Sequence, residues 1–151
     1  MDLRTRHLRF DIDLLAERTA GVLEWLDLQP FAYELKRGLF GASTGAAAAL
    51  IAAAELPDKV DAIVSRGGRP DLAEEALANV QTPTLLIVGG EDEAVVELNR
   101  QALTEIQSGI DKKLVIVPGA SHLFEEPGTL EQAADLARDW FLAHLATVNV
   151  H

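Results

Sequence analysis

Four short apolar runs punctuate the chain, at Gly38–Phe40, Val60–Val64, Thr84–Val88 and Leu114–Val117. They are too short for helices, and the last three are rich in β-branched residues, a pattern that predicts buried strands. Between them apolar positions recur at helical steps. Ile12, Leu15, Thr19, Val22 and Leu26 precede the first run, and an alanine-rich stretch, Ala46–Glu55, follows it. Further on come Val95, Leu98, Ala102 and Ile106, and finally Leu130, Ala133, Ala137, Trp140, Phe141 and Leu145. Strand and helix alternate, which places the chain in the α/β class, with a parallel sheet of about four strands and helices on both faces. Pro57 closes the second helix and Ser108-Gly109 a later one, while Thr129 with Gln132 has the capping-box spacing that opens the last. In Arg66–Asn79, Gly67-Gly68-Arg69-Pro70 reads as loop and Asp71–Asn79 as a short helix. No repeat, linker or low-complexity tail divides residues 1–151, so a single domain is expected.

Composition narrows the partners. The 151 residues are 48% hydrophobic and 25% charged, enough apolar material for a core. With 24 acidic against 13 basic side chains the net charge is −11, which disfavours nucleic acid and anionic membrane surfaces as partners. Cysteine is absent, so disulfides, thiolate nucleophiles and cysteine-based metal sites are excluded. That is compatible with a reducing compartment, and a cytoplasmic protein is expected. The first seven residues carry charges where a secretory signal needs apolar side chains, and the longest apolar run, Ala46–Ala54, is too short to span a bilayer.

The chemistry begins straight after the first predicted strand. Gly41-Ala42-Ser43-Thr44-Gly45 is a GxSxG sequence running into a helix of small residues, the context a nucleophile elbow requires. A strand that turns so abruptly into a helix holds Ser43 outside the sheet, with the helix N-terminus behind it to favour developing negative charge. A serine hydroxyl needs a base. His7 lies in the charged N-terminal segment, His144 near the end of the last helix and His151 at the terminus. His122 alone follows a predicted strand, in Pro118-Gly119-Ala120-Ser121-His122, where a parallel sheet carries its loops for chemistry. Glu91, Asp92 and Glu93 follow the strand between serine and histidine. Asp92 is the expected third member, because Ser43, Asp92, His122 reproduces the serine, acid, histidine order of one hydrolase fold. Acids capping the next helix are the competing explanation of this cluster. Arg66 and Arg69 follow the second predicted strand on the same edge, where they would hold an anionic substrate group or pair with surface acids.

Together these segments resemble the C-terminal part of an α/β-hydrolase, most closely its dienelactone hydrolase-like branch. GASTGAAAAL matches the elbow and its helix, LLIVGGEDEAV the acid strand and loop, and LVIVPGASHLFEEPG the histidine strand and loop. The resemblance implies hydrolysis of an ester or related acyl bond of a small molecule through an acyl-enzyme, with neither cofactor nor metal. Dienelactone hydrolases proper carry cysteine at the elbow, where this chain has Ser43, so their lactone substrate does not transfer.

The family's sheet has about eight strands, and those found here correspond to the last four, a truncated α/β-hydrolase fold. Met1-Asp2-Leu3 resembles the tail of a preceding strand. The strand-3 loop that supplies one of the family's two oxyanion N–H groups has no counterpart, leaving that of Thr44. The strand Gly38–Phe40, central in the family, is expected to be an exposed edge here and to pair with a second copy in a homodimer. The alternative to a serine hydrolase is a non-catalytic or weakly active half-fold that persists by self-association.

Overall fold

The computed structural model of the chain describes residues 3–146, with side chains from residue 6 onward. Four strands, β1 (Gly38–Ala42), β2 (Ala62–Arg66), β3 (Thr84–Gly89) and β4 (Lys112–Val117), form one parallel sheet in the order β1-β2-β3-β4. The helices are α1 (Leu3–Asp27), α2 (Thr44–Glu55), α3 (Glu93–Glu105) and α4 (Thr129–Leu145), with 3₁₀ segments at Pro57–Lys59 and Pro70–Asn79. Met1 and Asp2, expected as the tail of a strand, lie outside the described residues, and Leu3 is already helical.

The strand order explains why the two faces are covered unequally. Each strand is added on the same side of its predecessor, so right-handed crossovers put every connecting helix on one face. Ile63 accordingly packs with Ile12, Ala16 and Leu23 of α1, Ala47, Leu50 and Ile51 of α2, Leu77 of the second 3₁₀ segment and Ile106 beyond α3. Among the described residues the opposite face carries α4, where Ala133 and Ala137 meet Val64, Leu85, Ile87, Val117 and Phe124. The period-two alternation of a strand appears directly here, with Ile63 on one face and Val64 on the other.

Three local details differ from the pattern-based expectation. On α1 the buried stripe is Ile12, Ala16, Ala20 and Leu23, while Leu15 and Val22 are exposed. Small residues at four-residue spacing let α1 approach the alanines of α2, and closeness of approach decides the inward face more than hydrophobicity does. β2 runs two residues beyond the expected Val60–Val64, because Ser65 and Arg66 continue the ladder opposite Gly41 and Ala42. Thr129 does not cap α4. Gly128, in the left-handed region at φ 82°, takes that position, and the Thr129 hydroxyl donates backwards to the Glu126 carbonyl at 2.7 Å.

A polar latch sets where β1 begins. The Arg37 guanidinium donates to Asp27 at 2.8 Å and to the Ala32 carbonyl at 3.2 Å, and its backbone N–H donates to Asp61 at 2.8 Å. Asp27 also pairs with Lys59, and these two cations, Lys59 foremost, hold its carboxyl below the usual carboxylate range. The far side of β1 has no strand partner among the described residues, and Phe40 there is 52% exposed. No helix among the described residues is long and apolar enough to cross a membrane.

Candidate active site

The loops that leave the C-terminal ends of four parallel strands meet on one edge of the sheet; Ser43, Arg69, Asp92 and His122 stand on them, with Arg66 at the end of β2 and Thr44 at the start of α2 beside them. Ser43 lies between β1 and α2 with φ 53° and ψ −126°, a conformation that costs an L residue on the order of 1–3 kcal/mol and that must be held by its surroundings. Gly41 makes the turn sterically open. A Cβ there would stand 2.7 Å from the Ala46 nitrogen and Cα, so helix and strand cross in near contact. Gly45, the other glycine of the motif, has nothing within 4 Å of its own Cβ position. We expect Gly41→Ala to destabilise the fold by about 1–3 kcal/mol, as overpacking does, measured by denaturant titration. Gly45→Ala should be tolerated, the helix gaining a better former.

The exposed Ser43 side chain projects from the N-terminus of α2, whose first N–H groups, Thr44's among them, have no intrahelical acceptor. Such groups are fitted to receive negative charge beside the serine.

Asp92 and His122 are joined directly. His122 Nδ1 lies 2.7 Å from Asp92 Oδ2, with side chains 43% and 20% exposed. Of the three neighbouring acids Asp92 stands at the N-cap of α3 yet makes no side-chain cap, its carboxylate being turned to the imidazole instead. The two loops are bolted together by main-chain bonds, Gly90 N–H to the Val117 carbonyl at 2.9 Å and Glu91 N–H to the Ala120 carbonyl at 3.0 Å. Gly89 permits this, since any Cβ on it would press into the Ala120 and Ser121 carbonyls. The Ser43 hydroxyl makes no hydrogen bond among the described residues. Its main chain is held by the loop after β2, whose Arg69 N–H donates to the Ser43 carbonyl at 3.0 Å, and Gly67 of the same loop lies beside His122, where an added Cβ would come within 3.6 Å of Nδ1.

The other histidines stand apart. His144 Nε2 is 3.0 Å from Asp111, a residue just before β4 and so at the opposite end of the sheet. His7 is exposed on α1, and His151 lies outside the described residues.

The two arginines divide. Arg69 forms a two-pronged pair with Asp71, at 3.0 and 2.9 Å, and that pairing raises its pKa. Arg66 lies over the Phe124 ring, 5.5 Å from its centroid, and lines a cleft of about 460 Å³ with Phe40, Leu130, Ala134 and Arg138. Glu126, which sequence reading did not single out, organises the histidine loop. Its Oε1 accepts the Ser121 N–H at 2.8 Å, and this bond holds the carboxyl below the usual carboxylate range. Nothing in the sequence distinguishes it from Glu125 beside it.

Comparison with known proteins places this geometry in a lineage. A dienelactone hydrolase of Anabaena variabilis superposes with a TM-score of 0.87 at 59% identity, over 96% of this chain and 66% of that one. A putative phosphoribosyl transferase of Mycobacterium tuberculosis is 58% identical over 142 residues, which is 94% of this chain and 32% of that protein. A putative carboxymethylenebutenolidase of Aquifex aeolicus is 28% identical over 125 residues, 76% of this chain and 54% of that protein. The chain thus spans about a third of the Mycobacterium protein and about half of the Aquifex one. The model of the dienelactone hydrolase family matches from residue 5 to residue 148, elbow, acid loop and histidine loop included, and the chain belongs to that family.

Proposed function

We propose that the chain carries the catalytic machinery of a serine hydrolase acting on an ester or related acyl bond. The observation that carries this reading is the 2.7 Å contact of Asp92 with His122 on the sheet edge where Ser43 is held in a strained turn. Ser43 Oγ attacks the acyl carbon as its proton passes to His122 Nε2. Asp92, on Nδ1, keeps the imidazole in the tautomer that accepts it. The tetrahedral oxyanion faces the Thr44 N–H. Collapse expels the leaving group, which takes the proton from His122, and water then hydrolyses the acyl-enzyme by the same route. Within this reading the anchor for an anionic substrate group is Arg66, because the Arg69 charge is already matched by Asp71. The phosphoribosyl transferase name belongs to a protein of which this chain matches 32%, and it is not carried over to this chain. The test is a fluorophosphonate probe followed by intact mass: one adduct, located at Ser43, is expected. An unlabelled protein would defeat the reading.

A second reading, a half-fold that persists by self-association, draws on the unpaired edge of β1 and the exposed Phe40 beside it. Pairing of two such edges about a two-fold axis would cover both and extend the sheet from four strands to eight. The homodimer proposed from this edge predicts twice the monomer mass in light scattering at micromolar concentration, and dissociation in Phe40→Lys. A stable monomer whose amides at 38–40 resist hydrogen exchange would rule it out.

A further inference from the structure

We infer that Asn99 on α3 is a positioning residue for the oxyanion donor, acting through two successive peptide planes that run from its side chain to the Thr44 N–H. The inference rests on the serine hydrolase reading and deepens it. Asn99 is wholly buried, in the apolar stripe that Val95, Leu98 and Ala102 form on α3. Its Nδ2 donates to the Gly68 carbonyl at 3.1 Å and to the Val95 carbonyl at 2.8 Å, while its Oδ1 has no partner among the described residues. A buried amide with an unsatisfied oxygen is an unfavourable choice for packing alone. Leucine would fill the stripe without that penalty.

The Gly68 carbonyl and the Arg69 N–H are the two ends of one planar peptide, so holding the oxygen fixes the direction of the hydrogen. That hydrogen goes to the Ser43 carbonyl, at 3.0 Å. The Ser43 carbonyl and the Thr44 N–H form the next plane, and fixing the first again fixes the second. Ala46 N–H also reaches the Ser43 oxygen, at 3.3 Å, so the Arg69 bond is the shorter of two. The planes alternate donor and acceptor in one sense, and each bond polarises the next. A plane at φ 53° does not hold itself.

The loop between is built to lie flat. A Cβ at Gly68 would run into Ser65 Oγ and come within 2.5 Å of Ala46 Cβ, and one at Gly67 would approach the His122 carbonyl to 3.1 Å. The loop therefore rests on the first turn of α2 and against the histidine. Asn99 grips it from α3 through the Gly68 carbonyl.

The experiment compares wild type with Asn99→Leu and Asn99→Ala, counting active sites by fluorophosphonate titration. Expected is a loss of about tenfold in kcat per titrated site with KM unchanged, smaller than the 100- to 1,000-fold of deleting a donor outright. A trifluoromethyl ketone, whose adduct with Ser43 bears the oxyanion, should weaken by the same factor. The Arg69 amide should exchange with solvent faster while that of Leu86 in β3 does not. If Asn99 only supports the fold, the variants lose melting temperature and titratable sites but keep kcat per site and ketone affinity, and the inference fails while the hydrolase reading stands. A wild type that takes no label removes that reading and the inference with it.

Discussion

Ser43→Ala is expected to abolish fluorophosphonate labelling and to lower turnover of an activated ester on the order of 10⁴-fold or more, with the melting curve unchanged. The unchanged stability follows from the backbone. Alanine meets the same penalty at φ 53° as serine, and the Ser43 side chain makes no hydrogen bond among the described residues whose loss could matter. Ser43→Gly separates function from strain. Glycine enters this region freely, so the variant should be more stable than wild type by about 1 kcal/mol while equally inactive. On the proposed hydrolase reading, the serine is kept where glycine would be more stable because the reaction needs its hydroxyl. Ser121→Ala, beside His122, is the control and should label normally. Undiminished labelling or turnover in Ser43→Ala would dispose of the assignment.

Much of this arrangement is legible in the chain because it is local. The elbow, the acid loop and the histidine loop each sit within a few residues of a short apolar run, and a parallel sheet brings the ends of such runs to one edge whatever lies between. What was not legible depends on contacts between distant segments. Leu15 and Val22 have the helical spacing of an inward face, yet Ala16 and Ala20 face inward, because the partner helix is itself alanine. Ser65 and Arg66 read as the start of a loop, and only pairing with Gly41 and Ala42 makes them strand. Asn99 had a signal, a polar residue on an apolar stripe, but its acceptor is 31 residues away in sequence. Arg69 and Asp71 stood two residues apart throughout, and their pairing is a matter of the Pro70 turn.

His122→Ala should lose activity to the same order as Ser43→Ala, and Asp92→Asn on the order of 10³- to 10⁴-fold, by a distinct route. In the proposed mechanism the Asp92 carboxylate, 2.7 Å from Nδ1, accepts its hydrogen and leaves Nε2 free to take the serine proton. An asparagine at 92 can turn its amide N–H toward Nδ1, which then accepts, and the tautomer with hydrogen on Nε2 has no lone pair for Ser43. Substrate binding does not pass through this contact, so the loss should fall on kcat with KM little changed. Glu91→Gln leaves the Glu91 N–H bond to Ala120 in place and should be close to wild type. His144→Ala is the decisive control, because His144 has its own carboxylate partner, Asp111, at the far end of the sheet. Activity that survives His122→Ala but falls in His144→Ala, or a greater loss in Glu91→Gln than in Asp92→Asn, would show that the chemistry lies on other residues than those the sheet edge brings together.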